Sequence, residues 1–305
     1  MTEATNFTSV KEFILLGLTS QRKIQLLLFG IILIIYLLTV LGNLLIIVLV
    51  QADVKLQTPM YYFLSQLAGV DICYVTSTMP LMLTQLLTGD GAISLAFCMI
   101  QIYIAVALGG VEILLFGVMA YDRYLAICRP LLYPVLMDKR CQLQCSSTCW
   151  ISAPLVCVIY IVCLLCQNYC GPNQINNIIC EMPMVLRLAC GDTSIIEAII
   201  FGIGGFFLLV PLSIVLTSYG FILHSVLQMK SSGRLKAFST CGSHLIVISM
   251  FYGPLLWVYI IPKTDTAADY DKQIAIFYVL ITPLLNSVIY TLRNKDFHRA
   301  VAKIL

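Results

Sequence analysis

The 305-residue chain is 60% apolar and 11% charged, with a mean hydropathy of +0.95, which excludes a soluble globular domain and marks a membrane protein. Its net charge of +3 forms no basic stripe, so no nucleic-acid partner is expected. Seven apolar runs are long enough to cross a hydrocarbon core of about 30 Å, near residues 25–50, 57–87, 95–121, 142–166, 196–228, 237–262 and 273–292. Only helices satisfy their backbone polar groups over such runs in lipid. The predicted fold is an all-α, seven-transmembrane helix bundle, with residues 1–24 as an extracellular N-terminus, 25–292 as the membrane domain and 293–305 as a cytoplasmic C-terminal helix.

Orientation follows from Lys and Arg. If the first run exits into the cytoplasm, twelve cations lie inside, among them Lys55, Arg129, Lys139, Arg140, Lys230, Arg234 and Lys236, and six outside. That excess predicts an outer N-terminus. The triplet Asn6-Phe7-Thr8 is a glycosylation acceptor useful only on the luminal side. No basic segment with a cleavable apolar core precedes the first run, so the first helix is expected to act as signal anchor.

In chain order, the first run carries Asn43 and the second Asp71. The third contains Glu112 and ends in Asp122-Arg123-Tyr124 at the membrane boundary. A charged pair there is costly unless the site uses it, and from there it can face a cytoplasmic partner. Asp71 and Glu112 each stand more than a turn from the inner end of their helix. Both are expected to face the bundle interior and to share a cation, a proton or hydrogen-bonding partners, with Asn43 and Asn286 as amide candidates. The fourth run has Cys141, Cys145 and Cys149 at four-residue spacing, read as small buried hydrophobes rather than metal ligands. Loops are short except between the fourth and fifth runs. That outer loop carries Cys170, Cys180 and Cys190, and with Cys98 at the head of the third run, four thiols share an oxidising compartment with three pairings open. Pro80, Pro211, Pro254 and Pro283 fall inside apolar runs, where each removes a backbone hydrogen bond and can kink its helix.

These residues also spell a family pattern. Gly42-Asn43, Pro59-Met60-Tyr61-Tyr62-Phe63-Leu64-Ser65 with Asp71, Met119 to Cys128 followed by Pro130-Leu131-Leu132-Tyr133, Trp150, Ser218-Tyr219, Lys236 to Leu245 and Phe251-Tyr252-Gly253 occur in order over nearly the whole chain. Together they resemble the vertebrate olfactory (odorant) receptors of the rhodopsin-like G-protein-coupled superfamily. Two departures stand out. Asn286-Ser287 replaces the usual Asn-Pro of the seventh helix, and Ile178-Ile179-Cys180-Glu181 stands where aromatics and an aspartate are common.

The resemblance implies a receptor, not an enzyme, for a small neutral odorant held in the outer half of the bundle. Candidate ligand contacts are Ala105, Val106 and Gly109 on the third helix, Ile203 and Phe207 on the fifth, and Tyr252, Leu256 and Tyr259 on the sixth. Such a wall is apolar with a few hydroxyls, so binding rests largely on burial. Ala105 stands where amine receptors of the superfamily carry an aspartate, which argues against an ammonium ligand. Coupling to a heterotrimeric stimulatory olfactory G protein, raising cAMP, is implied for Asp122, Arg123, Tyr124, Tyr219, Asn286 and Tyr290, with Tyr219 and Tyr290 as hydroxyl partners of a freed Arg123. The disulfides implied are Cys98–Cys180 and Cys170–Cys190. Asp71 and Glu112 are candidate ligands for a sodium ion, and no other cofactor is expected. The expected place is the plasma membrane, in contact with lipid. A transporter or channel should show repeat symmetry or a crossing chain of ionisable residues, and an enzyme a clustered nucleophile and base; His224 and His244 lack such a cluster.

Overall fold

The computed structural model describes residues 10–170, 173–228, 231–260, 272, 274–293 and 295–304, with backbone alone for 231–240, 243, 258–260, 292, 293, 295, 296 and 304. Asn6 lies outside the described residues, as do Lys230 and the side chains of Arg234, Lys236 and Tyr259. The long helices are α1 (Arg22–Ala52), α2 (Pro59–Thr88), α3 (Leu95–Cys128), α5 (Lys139–Leu165), α7 (Ser194–Leu227) and α8 (Ser231–Ile260). Short α4 (Tyr133–Leu136) and α6 (Met182–Leu186) lie in connections, and α9 (Thr282–Arg293) and α10 (Lys295–Ile304) close the chain. Among the described residues six helical stretches are long and apolar enough to cross a membrane, and His244–Trp257 of α8 is a further, shorter apolar stretch. The protein is a multi-pass membrane bundle.

Local chemistry sets the helix ends. Ser94 accepts a hydrogen bond from the Phe97 amide at 3.3 Å, and Asp138 accepts one from the Cys141 amide at 2.7 Å, capping α3 and α5. Pro59 occupies the first turn of α2, where a missing N–H costs nothing, and Gly89 ends that helix at φ +79°. Pro80, Pro211 and Pro254 lie within continuous helices, as does Pro154 in α5. Pro283 is different. The five residues before α9, Phe277–Ile281, form a π-helical turn, and the Thr282 amide reaches back to the Phe277 carbonyl. A proline cannot donate to the carbonyl four residues back and crowds it, so the preceding turn widens. The usual Asn-Pro distortion of the seventh helix thus stands ahead of Pro283 instead.

Helix α3 is central and packs against α2, α5, α7 and α8, while α1 and α9 close the other side. A Cβ on Gly110 would come 2.9 Å from the Ala153 side chain, and one on Gly42 would come 2.8 Å from Ser287 Oγ. Any side chain there would part α3 from α5 or α1 from α9. Trp150 Nε1 donates to Gln66 Oε1 at 3.0 Å, tying α5 to α2. In amphipathic α10, Phe297 and Ala300 are buried, and the Phe297 ring meets Tyr61 edge-on at 5.5 Å.

One end of the bundle carries a small sheet. Strand β1 (Glu12–Leu15) lies between β2 (Ala92–Ser94), antiparallel with Phe13 opposite Ile93, and β3 (Gln174–Ile175), parallel with Leu15 opposite Ile175. Gln85 Nε2 donates to the Leu15 carbonyl at 2.6 Å, and Arg22 donates to the Leu86 and Leu87 carbonyls at 3.1 and 2.6 Å. Disulfides join Cys98 to Cys180 and Cys170 to Cys190, with Cα separations of 5.5 and 5.4 Å. The α5–α7 connection then plugs the bundle: Ile178 and Ile179 are fully buried and join the main apolar core, and the Cys180 amide donates to Gln101 Oε1 at 2.8 Å.

Candidate functional site

Three groups of predicted residues fall along the bundle axis. Nearest the sheet, Ala105, Phe207 and Leu256 are half-buried against the main core, where Tyr252 is buried. Val106 and Ile203 lie apart from them, beside Ala107, Cys157, Tyr160 and Met182. The predicted ligand residues therefore divide between the α3–α7–α8 interior and a face toward α5 and α6. Gly109 is half-buried, and a Cβ on it would meet nothing within 4 Å, so open space lies beside it. Tyr252 Oη is buried and makes no hydrogen bond among the described residues.

The polar middle is compact. Asn286 Nδ2 donates to both carboxylate oxygens of Asp71, each at 3.2 Å, and to Glu112 Oε1 at 3.1 Å. All three side chains are buried. One amide nitrogen thus faces two acids from α2 and α3, and two bare carboxylates cannot share so dry a site without a positive charge, either a cation or a proton. Asn43, expected as a second partner, instead donates to the Thr39 carbonyl at 3.0 Å and the Pro283 carbonyl at 3.4 Å. A buried amide must be hydrogen-bonded, and these two carbonyls, one on its own helix and one on the facing α9, are the acceptors it reaches.

At the far end Asp122 is fully buried and accepts from Arg123 Nε at 3.1 Å and Nη2 at 2.6 Å. Tyr133 Oη donates to the other carboxylate oxygen at 2.9 Å, and burial, then the Asp122 charge, pushes that phenol above its ordinary range. The Arg123 side chain keeps 15% exposure, enough to remain reachable from outside the bundle. Neither expected hydroxyl partner of Arg123 is bonded to it here. Tyr219 is hydrogen-bonded to Nδ1 of His244, and Tyr290 Oη has no partner among the described residues. Tyr124 sets its ring against Phe221 at 5.7 Å, and Cys128 Sγ lies 3.2 Å from Ser225 Oγ.

Sequence reasoning dismissed His244 for want of a catalytic cluster. It is fully buried, its Nε2 unpartnered among the described residues, and it lies beside Phe116, which also meets Phe251 at 5.2 Å. Phe251 in turn meets Tyr252 at 5.8 Å. An aromatic run therefore leads from Tyr252 to the Tyr219–His244 pair. A lone histidine at the head of the apolar stretch His244–Trp257 was the available signal. Cys141 and Cys145 place their sulfurs 3.9 Å apart, and among the described residues no group of three or more His, Cys, Asp or Glu side chains could hold a metal.

This arrangement of spans, with an ion pair closing the third, is the fold of the rhodopsin-like G-protein-coupled receptors. Squid rhodopsin superposes with a TM-score of 0.70 at 18% identity, covering 94% of this chain and 86% of that one. The family model described as olfactory receptor matches residues 32–305. Mouse olfactory receptor 2V1 is 44% identical over 98% of this chain and 95% of its own length. Mouse olfactory receptor 5M5 is 45% identical over 98% and 95%, and human olfactory receptor 2G6 is 42% identical over 99% and 96%. The chain belongs to the olfactory receptor family. It is an odorant-sensing, G-protein-coupled signalling receptor and not an enzyme.

Proposed function

We propose that this receptor takes a small, neutral, volatile odorant in the sheet-end half of the bundle, against Ala105, Gly109, Phe207, Tyr252, Leu256 and Tyr259, with Val106 and Ile203 shaping the wall toward α5. The observation that carries this reading is the buried Tyr252 hydroxyl, without a hydrogen bond among the described residues, next to apolar, half-buried neighbours. A ligand with one acceptor satisfies it, and the rest of the binding is burial, at about 25 cal/mol per Å² of apolar surface. No ionised side chain stands among these residues, which disfavours a charged ligand.

The output we assign to Asp122, Arg123, Tyr124, Tyr219 and Tyr290, coupling to a stimulatory olfactory G protein that raises cAMP. A ligand shifts the receptor only by binding one arrangement better than another. The aromatic run beginning at Tyr252 offers a contiguous route to the Tyr219–His244 pair, and displacement of α8 separates that pair and leaves Tyr219 free for Arg123. In the middle, Asp71 and Glu112 hold a sodium ion that favours the resting bundle, with Asn286 as their shared donor. The N-terminus and sheet lie outside the plasma membrane, Asn6 carries a glycan, and residues 293–305 lie on the cytoplasmic surface.

A cAMP reporter screened against a chemically broad odorant panel tests this directly. An agonist should lose potency in Tyr252→Phe and lose all response in Arg123→Ala, with surface labelling unchanged in both. Normal signalling by Arg123→Ala, or a response confined to charged ligands, would sink the reading.

A further inference from the structure

Nine described cysteines stand outside the two disulfides, and two of them bring their sulfurs together. Cys141 and Cys145 lie in the first two turns of α5. Four-residue spacing puts their Cβ atoms on one face of the helix, about 5–6 Å apart. The side chains then lean together, closing the sulfurs to 3.9 Å. Both residues pack against the main core yet stay part exposed, whereas Cys149, one turn further on, is buried. The expectation of buried thiols therefore holds for Cys149, and the other two remain within reach of solvent. Their backbone is fixed as well, since the Cys141 amide donates to Asp138 Oδ1 at 2.7 Å. Exposed Lys139 and Arg140 share this first turn with the positive end of the helix dipole.

The separation selects the chemistry. A disulfide needs its sulfurs at about 2.05 Å, so the pair would have to move to become one. Two thiolates on a single ion, at metal–sulfur lengths of about 2.3 Å, stand about 3.8 Å apart at a tetrahedral angle and about 4.6 Å apart in a straight line. The observed 3.9 Å lies inside that window with the helix as it stands. Thiolates select soft ions, Cu(I) and zinc among them. Zinc in a structural site takes four ligands, and among the described residues no group of three or more His, Cys, Asp or Glu side chains could supply them. A Cu(I) ion is satisfied by two thiolates.

We infer that Cys141 and Cys145 form a two-thiolate site for Cu(I). Each thiol gives its proton to solvent as the ion binds, and no electron moves. Two thiolates and one monovalent cation leave a single negative charge, which the positive start of α5 complements. On the orientation proposed above, the site faces the cytoplasm, where thiols stay reduced. Binding itself depends neither on that orientation nor on any odorant.

Titration of the purified full receptor in lipid nanodiscs with Cu(I), under millimolar reduced glutathione, tests it. Glutathione competes the ion away from single thiols, while a fixed pair keeps it by presenting its second thiol at high effective concentration. The unmodified receptor should retain one copper per chain, with two sulfur neighbours by X-ray absorption, and its melting temperature should rise as the ion binds. Cys141→Ser and Cys145→Ser should each weaken binding by more than about 100-fold, because even outer-shell changes at metal sites cost about 10–100-fold. Neither variant should show a copper-dependent melting shift, while Cys149→Ser should keep both the ion and the shift. Should a serine variant fold poorly, alanine at the same position carries the same expectation. A receptor that retains no copper against glutathione overturns the inference. So does undiminished copper in a correctly folded Cys141 or Cys145 variant, or an absorption spectrum without two sulfur neighbours.

Discussion

The two ends of the bundle are held by different chemistry. At the sheet end, main-chain ladders join three segments far apart in sequence, two disulfides pin them, and Ile178 and Ile179 plug the core. At the Arg123 end the described ties are side-chain contacts, among them the Arg123–Asp122 ion pair, the Tyr133–Asp122 and Tyr219–His244 hydrogen bonds and the Cys128–Ser225 thiol–hydroxyl contact. Backbone pairing and covalent bonds fix geometry, whereas a lone side-chain bond contributes about 1 kcal/mol net and can be exchanged for another. A receptor that must keep its mouth formed and let its other end rearrange is built in this way.

The sharpest way to break that contrast is to cut the covalent tie. Cys98→Ser removes the bond from the head of α3 to the connection that carries Ile178 and Ile179. Loss of such a disulfide typically costs about 2–5 kcal/mol, so surface expression should collapse, measured by antibody labelling of intact cells. Near-normal expression would show that the ladders alone hold the sheet end.

At the other end the largest effect expected is from Asp122→Asn, which leaves Arg123 without its counter-charge. A hydrogen bond to a charged group is worth about 1.5–3 kcal/mol. The melting temperature of purified receptor should fall by less than in the disulfide variant, and basal cAMP should rise because Arg123 is no longer held. A silent, stable variant would mean the pair has no part in holding the resting state.

How much of this could be read in advance depends on sequence distance. The spans follow from hydropathy, the acids Asp71 and Glu112 from their cost in lipid, and Asp122-Arg123 from its place at a boundary. Strand β1 was missed, since four residues of alternating burial are too short to register and its partners lie some 80 and 160 positions on. The Tyr219–His244 bond spans 25 residues and two helices, and nothing local marks it. Asn43 failed as a partner of the acids for a similar reason, because one of its acceptors, the Pro283 carbonyl, lies 240 residues away on another helix. Ser287 was legible only as a departure. Its hydroxyl donates to the Leu284 carbonyl at 2.8 Å and packs on Gly42, a contact that belongs to two helices at once.

A smaller effect should come from Tyr219→Phe, which deletes the hydrogen bond to His244 without changing shape. Stability should drop by about 1 kcal/mol, and basal signalling should rise if that bond helps hold α8 in place. In the same assay, Asp71→Asn with Glu112→Gln should erase any dependence of agonist potency on sodium, read at constant ionic strength, while the unmodified receptor loses potency as sodium rises, since ion and agonist favour opposite states. Sodium-independent potency in the unmodified receptor would assign the site to a proton instead.

The smallest effect separates the sheet end from its own periphery. Asp192 is fully exposed just before α7, where its carboxylate accepts from the Ser194 hydroxyl at 2.5 Å and the Ser194 amide at 2.9 Å. Those two bonds, the hydroxyl first, hold the carboxyl below its ordinary range. A carboxyl lowered on folding contributes stability above its unfolded pKa, and that contribution fades as pH falls through the lower folded value. Melting temperature followed from neutral to acid pH should therefore show a small loss in the unmodified receptor below the ordinary aspartate range. Asp192→Asn should already lack it at neutral pH, while leaving both disulfides formed and the odorant response unchanged, because solvent screens so exposed a group. A large change in expression or response would mean that the start of α7 belongs with the disulfide-pinned lid rather than at its edge.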